Sequence, residues 1–485
     1  MKRRKFVEFV GVLAAAAYVT PKMVGLDVSD KTNSNLQDVI QKSGPDDGPN
    51  QPIGKEYGIH PGRVVWTWNP KATNPNCTNN YQTRDFFFNP DKYDQKVVGK
   101  MFSDSILMLT GEKTVAKSWD ALFKTFNQKK HNLSRGYTPG EKIFIKLNQT
   151  SARGTLNDAL RAEGKYVHPE FNAAAGGKQT VACETSPPVV LELLRHLVNV
   201  CKVKQSDIAL GDPQNPLWGF NYDVWSAEFP NLVFTDNTNG THGRTLIKPT
   251  ENDLLFWSDK STTEKLYDVA EKADYMINVP SFKVHNIAGI TICAKNHFGS
   301  HSRPRSSHLH YALAKMNPGY GNYRGFVDLM GSKYLGQNTM LFICDGLWGG
   351  GSSVTGAPVK YFIEPFNNNW CNSIFMAQDQ VALDSVCYDL LRTEWDGIHS
   401  HDPINNSAEA SPNMYGVDDY LHQVADSKNW PAGITYDPDN SGKPLPSLGV
   451  HEHWNNPKDR QYSRNLGKKY GIELVTIPAT LVKNA

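Results

Sequence analysis

The sequence predicts an α/β protein built on a mostly parallel sheet with helices on both faces. Two observations carry that expectation. Short runs rich in β-branched and aromatic residues alternate with segments whose apolar residues return every three or four positions, the alternation of strand-helix-strand crossover units. Several of the short runs, such as MLFIC, are nearly all apolar, and a strand of that composition must be covered on both faces.

The elements follow in order. RVVWTW (Arg63–Trp68) reads as a first strand, stopped by Asn69-Pro70. Amphipathic periodicity predicts helices from Asp91 to about Leu109 and from Val115 to Phe126. EKIFIKLNQT (Glu141–Thr150) follows a Thr-Pro-Gly turn and reads as a core strand with a polar tip. TSPPVVLELLRHLVNVC starts with Thr185 or Ser186 as N-cap, has proline in its first turn, and carries a stripe through Val190, Leu194 and Leu197, so it reads as a helix. SDIALGDP supplies the next strand, Ile208 to Leu210. The pattern recurs as the helix TEKLYDVAEKA, the strands DYMINVP, TMLFICDGL and SIFMAQD, and the helix QVALDSVCYDLLRTE. Together they predict a Rossmann-like sheet with long loop insertions in one large domain, residues 63–485. Ahead of it, residues 26–62 contain SGPDDGPNQPIG and read as a linker or an extended arm wrapped on the domain.

The first 25 residues read as an export signal. Lys2, Arg3, Arg4 and Lys5 precede a short apolar run with four consecutive alanines, and Arg3-Arg4-Lys5-Phe6-Val7 follows the twin-arginine pattern. The expectation is a periplasmic or secreted protein that uses the twin-arginine export machinery, which carries folded cargo. The run is too short and too weakly apolar for a stable membrane span.

The 485 residues carry a net charge of +2, which argues against nucleic acid as a partner. The seven cysteines form no Cys-x-x-Cys pair, so there is no iron-sulfur motif and no zinc ribbon. Neither nucleotide-binding glycine pattern occurs, although CDGLWGGGSSVTGAP (Cys344–Pro358) is glycine-rich and reads as a surface loop or a lid.

In open α/β sheets ligands bind beyond the carboxyl ends of the strands. The polar residues there are Lys146 and Asn148, Gly211 and Asp212, Asn278 through His285, Asp345 and Asp379. Lys146-x-Asn148, Lys283-x-His285 and Lys295-Asn296-His297 each pair a cation with a neutral hydrogen-bonding group, which suits carboxylate or phosphate oxygens. The segment Ser281–His310 also holds five of the chain's 15 histidines, His285, His297, His301, His308 and His310. Two His-x-His pairs, His399/His401 and His451/His453, add further nitrogen donors. A divalent metal of unspecified identity is therefore an option, with His285, His297, Asp345 and Asp379 as its candidate ligands.

The motifs IKLN, TSPPVVLELL, DYMINVPSFKVHNIAGITICAKNHFG and DQVALDSVCYDLL resemble the family catalogued as domain of unknown function 362, over roughly residues 141–394, leaving 395–485 as a C-terminal extension. The positions that carry the resemblance are Lys146, Asn148, Thr185, Pro187, Asn278, Pro280, Lys283, His285, Thr291, Lys295, Asn296, Gly299, Asp379 and Asp384. The resemblance implies a shared site and supplies no substrate. Some members carry ferredoxin-type clusters, but this chain lacks the cysteines for them.

The expected function is an enzyme acting on an anionic small molecule or sugar, with metal as an option. Lys283, His285 and Lys295 are the expected catalytic residues, and Lys146, Asn148, Asn278, Thr291 and Asn296 the substrate-binding ones. The rivals are a non-catalytic binding protein for an anionic ligand and a cofactor-bearing redox protein.

Overall fold

The structure, a computed structural model, describes residues 48–483 apart from 81, 82, 84, 150–181, 216, 238, 239, 241, 304, 305, 352–355 and 396–412. The export signal, most of the arm, His399 and His401 lie outside the described residues.

Local sequence sets the strands. In chain order they are β1 (Ile53–Gly54), β2 (Arg63–Trp68), β3 (Ile143–Leu147), β4 (Ile208–Gly211), β5 (Val233–Asp236) and β6 (Thr245–Leu246). Then come β7 (Leu255–Phe256), β8 (Thr263–Glu264), β9 (Tyr275–Val279), β10 (Ser281–His285) and β11 (Gly289–Thr291). The last are β12 (Thr339–Gly350), β13 (Pro358–Val359), β14 (Ser373–Ala377), β15 (Val450–His451) and β16 (Glu473–Ile477).

The central sheet runs β16-β2-β14-β12-β9-β3-β4-β5-β6, and β10 continues alongside the second half of β12. All neighbours on the main path are parallel except at β14, which is antiparallel to both β12 and β2. That reversal has a direct effect on the tips. The residues after β14 emerge at the opposite rim of the sheet from those after β3, β4 and β9.

Because side chains alternate across a strand, the sheet feeds two cores. Val64, Trp66, Phe144, Met276, Phe342 and Phe375 enter one. Val65, Ile143, Ile145, Leu210, Ile277 and Ile343 enter the other. The second core is covered by α1 (Gln95–Thr110), α2 (Val115–His131), α3 (Pro187–Arg195) and α4 (Gly219–Glu228). The first is covered by α5 (Asp268–Glu271), α6 (Cys293–Asn296), α7 (Gly325–Gly331), α8 (Gln380–Glu394) and α9 (Met414–Ala425). Residues Ser43–Ala485 form one compact unit. No helix among the described residues is long and apolar enough to cross a membrane.

The caps explain several helix starts. Asp94 accepts from the backbone N–H groups of Lys96 and Val97, and α1 ends at Gly111 in the left-handed region. At α3 the prolines occupy the first turn, and Asp345 takes both the N–H and the hydroxyl of Ser186, each at 2.6 Å.

Two expected elements differ. TEKLYDVAEKA is helical only over Asp268–Glu271, because Thr263–Glu264 pairs antiparallel with Leu255–Phe256. The strand TMLFICDGL continues to Gly350, so the first glycines of the expected loop are sheet, and Asp345 lies mid-strand opposite Ser281 rather than at a tip.

Candidate functional site

The site is built where β3, β4 and β9 end. Lys146 stands in register with Gly211 on one side and Asn278 on the other. Short helix α6 lays Asn296 across these tips, held from behind by Asp384, which accepts from the N–H groups of Cys293 (2.8 Å) and Ala294 (3.3 Å). Asn296 Oδ1 accepts from Lys146 Nζ and Asn148 Nδ2, both at 3.3 Å. Its Nδ2 donates to Asn278 Oδ1 at 2.7 Å and to the Lys146 carbonyl at 3.3 Å. One amide therefore ties Lys146 and Asn148, at one strand end, to Asn278 on the neighbouring strand.

Lys146 is fully buried. Its Nζ donates to the Leu147 carbonyl at 2.6 Å and to Asn296, and it sits 3.4 Å from Asp212 Oδ2. Three acceptors match the three N–H bonds of an ammonium. Burial draws the Lys146 pKa down and the Asp212 charge opposes that, so the pair is held together as an ion pair in a dry site. Asp212 Oδ2 also accepts from the Gln149 N–H at 3.1 Å. A β-carbon on Gly299 would stand 3.2 Å from Asp212 Oδ1, which gives the last glycine of the Lys-Asn-His-Phe-Gly motif a steric reason.

Lys283 differs. It is 3% exposed, and the hydrogen bond of its Nζ is to the Cys183 carbonyl at 2.5 Å. Burial lowers its pKa, while the Cys183, Glu184 and Asp212 charges pull the other way. An amine so desolvated reaches its neutral form more readily than a surface lysine. Lys283 is in register with Thr291 on β11 and Gly350 on β12, and the Lys283 β-carbon lies 2.4 Å from where a β-carbon on Gly350 would be.

The histidines have defined tautomers. His285 Nδ1 accepts from the N–H groups of Ile287 (3.1 Å) and Ala288 (3.2 Å), so its proton sits on Nε2. Burial, then Lys295, Lys283 and His310, push its pKa well below the usual value, so the ring is neutral and offers an N–H. Asn278 Nδ2 donates to the Cys293 carbonyl at 3.1 Å and is 3.0 Å from His297 Nε2. An N–H that faces a carbonyl is a donor, so His297 Nε2 accepts and its lone pair is spent. Burial and Lys146 hold His297 at a pKa of about 3. Lys295 is half-buried, with Nζ 4.7 Å from the Phe298 ring centre.

The four residues expected to hold a metal are not gathered as a ligand group. His285 and His297 have their lone pairs engaged as described. Asp345 accepts from Ser186 and from the Leu347 N–H at 3.1 Å, and burial pushes it up to about 6. Asp379 caps α8, accepting from Val381 and Ala382 at 3.0 Å, and also from Tyr57 at 3.1 Å and Val450 at 3.2 Å. It follows the antiparallel strand and so stands on the other rim. Among the described residues the clusters with metal-ligand geometry are instead Glu264/His301/His308 and Asp418/His451/His453.

Among the described residues, several buried polar atoms near the lysines have no hydrogen-bond partner: Asn148 Oδ1, both side-chain heteroatoms of Gln149, Ser281 Oγ and Thr291 Oγ1. Asp212, Cys183 and Gln149 were not among the residues expected at the site. Asp212 falls among the polar strand-end residues read from the sequence, where it carried no assigned role, whereas Cys183 and Gln149 carry no sequence signal beyond being neighbours of motif residues.

Fold and site together define an α/β protein whose polar centre is a buried set of lysines and amides at the ends of parallel strands. The model of the family described as Domain of unknown function (DUF362) matches residues 167–389 of the chain. That match contains Asp212, Asn278, Lys283, His285, Thr291, Lys295 and Asn296, while Lys146 and Asn148 precede it. No curated protein matches the chain.

Proposed function

We propose that a crevice at this polar centre is the active site of an enzyme acting on an anionic small molecule. The observation that carries the reading is the convergence of buried amines with buried polar atoms left unpartnered, because each such atom costs about 1–3 kcal/mol unless a ligand or water meets it.

The residues divide the work. Lys146 is committed to Asp212 and Asn296 and fixes the frame. Lys283, with its lowered pKa, serves as the general base, and the His285 Nε2–H donates to the oxygen on which negative charge develops. Lys295 supplies the cation for the substrate's carboxylate or phosphate. Proton abstraction beside an acidic group, as in an isomerisation or an elimination, uses all three in those roles. A divalent metal, where the protein carries one, belongs outside this crevice, since His285 and His297 already use their lone pairs.

The test is a melting-temperature panel of phosphorylated and carboxylated compounds on the wild type, Lys283→Met and Lys295→Met. One class should stabilise the wild type, by about 2.7 kcal/mol at a hundred times its Kd, and neither variant. Equal response of all three proteins refutes the anion site. Binding retained in Lys283→Met with no turnover by the wild type would make this a binding protein. The export reading is proposed alongside it: replacing Arg3 and Arg4 with lysine should leave the protein in the cytoplasmic fraction.

A further inference from the structure

A cavity that shares no lining residue with the strand-end site opens between the turn of the β7–β8 hairpin and the loop of residues 435–444. It measures about 650 Å³, a size at which pockets take up a small organic molecule.

The two walls are pinned to each other by hydrogen bonds. The Phe256 N–H donates to the Pro438 carbonyl at 2.8 Å. Ser258 Oγ accepts from the Asp437 N–H at 2.9 Å while donating to Asp328 behind it. Each wall is also shaped from within. Asp437 Oδ1 accepts from the N–H and the hydroxyl of Ser441, both at 2.9 Å, and its Oδ2 accepts from the Gly442 N–H at 2.7 Å. In the hairpin turn the Lys260 N–H donates to the Trp257 carbonyl at 2.8 Å, with Lys260 at φ 61°, a left-handed conformation that a lysine adopts rarely. A ligand therefore meets a formed site, which spares the cost of ordering one.

The lining is mixed in a particular way. Phe256, Trp257 and Pro444 supply apolar surface. Trp257 is 2% exposed, and its Nε1 has no hydrogen-bond partner. The Cε3–Cζ3 edge of the same indole packs on Gly325 of α7, where an added β-carbon would lie 3.0 Å from Cζ3. Nε1 belongs to the opposite edge of the ring, so this donor is turned away from α7. A buried N–H without an acceptor is destabilising, and a ligand oxygen would relieve it.

The charge of the lining is one-sided. Lys260 and Lys443 are both exposed, and among the described residues neither has a carboxylate partner. Asp437 is the one carboxylate among the described lining residues, and the N–H groups of its own turn occupy both of its oxygens.

From this arrangement we propose that the cavity binds a small aromatic carboxylate. Its ring lies on Phe256 and Pro444, its carboxylate meets Lys260 and Lys443, and an oxygen on the ring accepts from Trp257 Nε1.

The test titrates the full-length protein with 6-hydroxy-2-naphthoate, followed by calorimetry and by the fluorescence of the probe, beside the uncharged 6-hydroxynaphthalene-2-methanol. The wild type should bind one acid per chain, and the alcohol about 10-fold more weakly. Lys260→Ala and Lys443→Ala together should erase that preference, and because both side chains are exposed the melting temperature without probe should stay where it is. Trp257→Phe keeps a ring and removes the donor, so it should weaken acid and alcohol alike, by about 10-fold. Lys283→Met should bind the probe as the wild type does, which separates this cavity from the proposed active site. A wild type that does not bind the acid overturns the proposal, as does equal affinity for acid and alcohol. Binding lost in Lys283→Met but kept in the double lysine variant overturns it too.

Discussion

Lys146 Nζ and Asp212 Oδ2 lie 3.4 Å apart on neighbouring parallel strands, both almost completely out of solvent. Removing one partner of such a pair strands the other's charge in the core. Lys146→Met or Asp212→Asn alone should cost about 3–5 kcal/mol, and the double variant should cost clearly less than the sum. Urea unfolding of the four proteins measures the coupling, and simple additivity would show that the two groups do not act as a pair.

Gly350 faces Lys283 across the β10–β12 pairing, and a methyl group there would press on the Lys283 β-carbon at 2.4 Å. Gly350→Ala should therefore displace the amine, costing about 1–3 kcal/mol and abolishing stabilisation by the anionic ligand. Gly351→Ala is the control, since its nearest new contact is Trp395 at an ordinary 3.4 Å. Retained ligand response in Gly350→Ala would show that the placement of Lys283 does not govern binding.

Asp379 receives four backbone N–H groups, from α8, from Tyr57 and from Val450. Asp379→Ala removes a helix cap and leaves the other donors unmet, with an expected loss of about 2–4 kcal/mol. The further rise in melting temperature on adding the anion should match that of the wild type. A vanished rise would place Asp379 in the crevice after all.

His196 gives a pH dependence. Trp119 Nε1 donates to its Nδ1 at 3.1 Å, and burial draws its pKa down to about 4. In the unfolded chain the ring takes a proton near pH 6.5, which the folded state resists. The unfolded state thus binds more protons between these values, and stability falls as the pH drops from 6.5 toward 4. The contribution reaches about 3 kcal/mol at the acid end, from a 1.36 kcal/mol equivalent per pKa unit. Replacing His196 with phenylalanine should flatten the stability profile over that window and leave its slope above pH 7 unchanged, as read by urea titrations at several pH values. An unchanged profile would mean that His196 titrates normally in the fold.

Much of the architecture was legible. RVVWTW is a strand over all six residues, and the SIFMA strand and QVALDSVCYDLLRTE helix fall where their periodicity puts them. Strand direction was not legible, because an apolar run reads the same whether it pairs parallel or antiparallel. That is why Asp379 was grouped with Lys146. The glycines of β12 misled for a related reason. A glycine is needed where Gly346 meets Phe375 and Gly349 meets Cys371 and Tyr361, and that close approach is invisible without the partner strands.

At the site, the lysines and amides were legible as types. Their division of labour depends on distances. Lys146 and Lys283 look alike in sequence, yet among the described residues one has three acceptors, an aspartate among them, and the other has one carbonyl. The histidine-rich segment pointed to metal, but a count of rings says nothing about which nitrogen keeps its lone pair. His285 and His297 spend theirs on protein N–H groups, and His453 donates from both nitrogens, to Asp389 and to Asp418.

The reversed strand β14 also bears on how relatives should diverge. If the rim with Lys146, Asp212 and Lys283 is the ligand site proposed above, a change of substrate should alter its residues as a set. Residues on the rim with Tyr57, Asp379 and Val450 answer only to one another. Substitutions should therefore travel together within each rim and independently between them, so two separate evolutionary clocks run on one sheet.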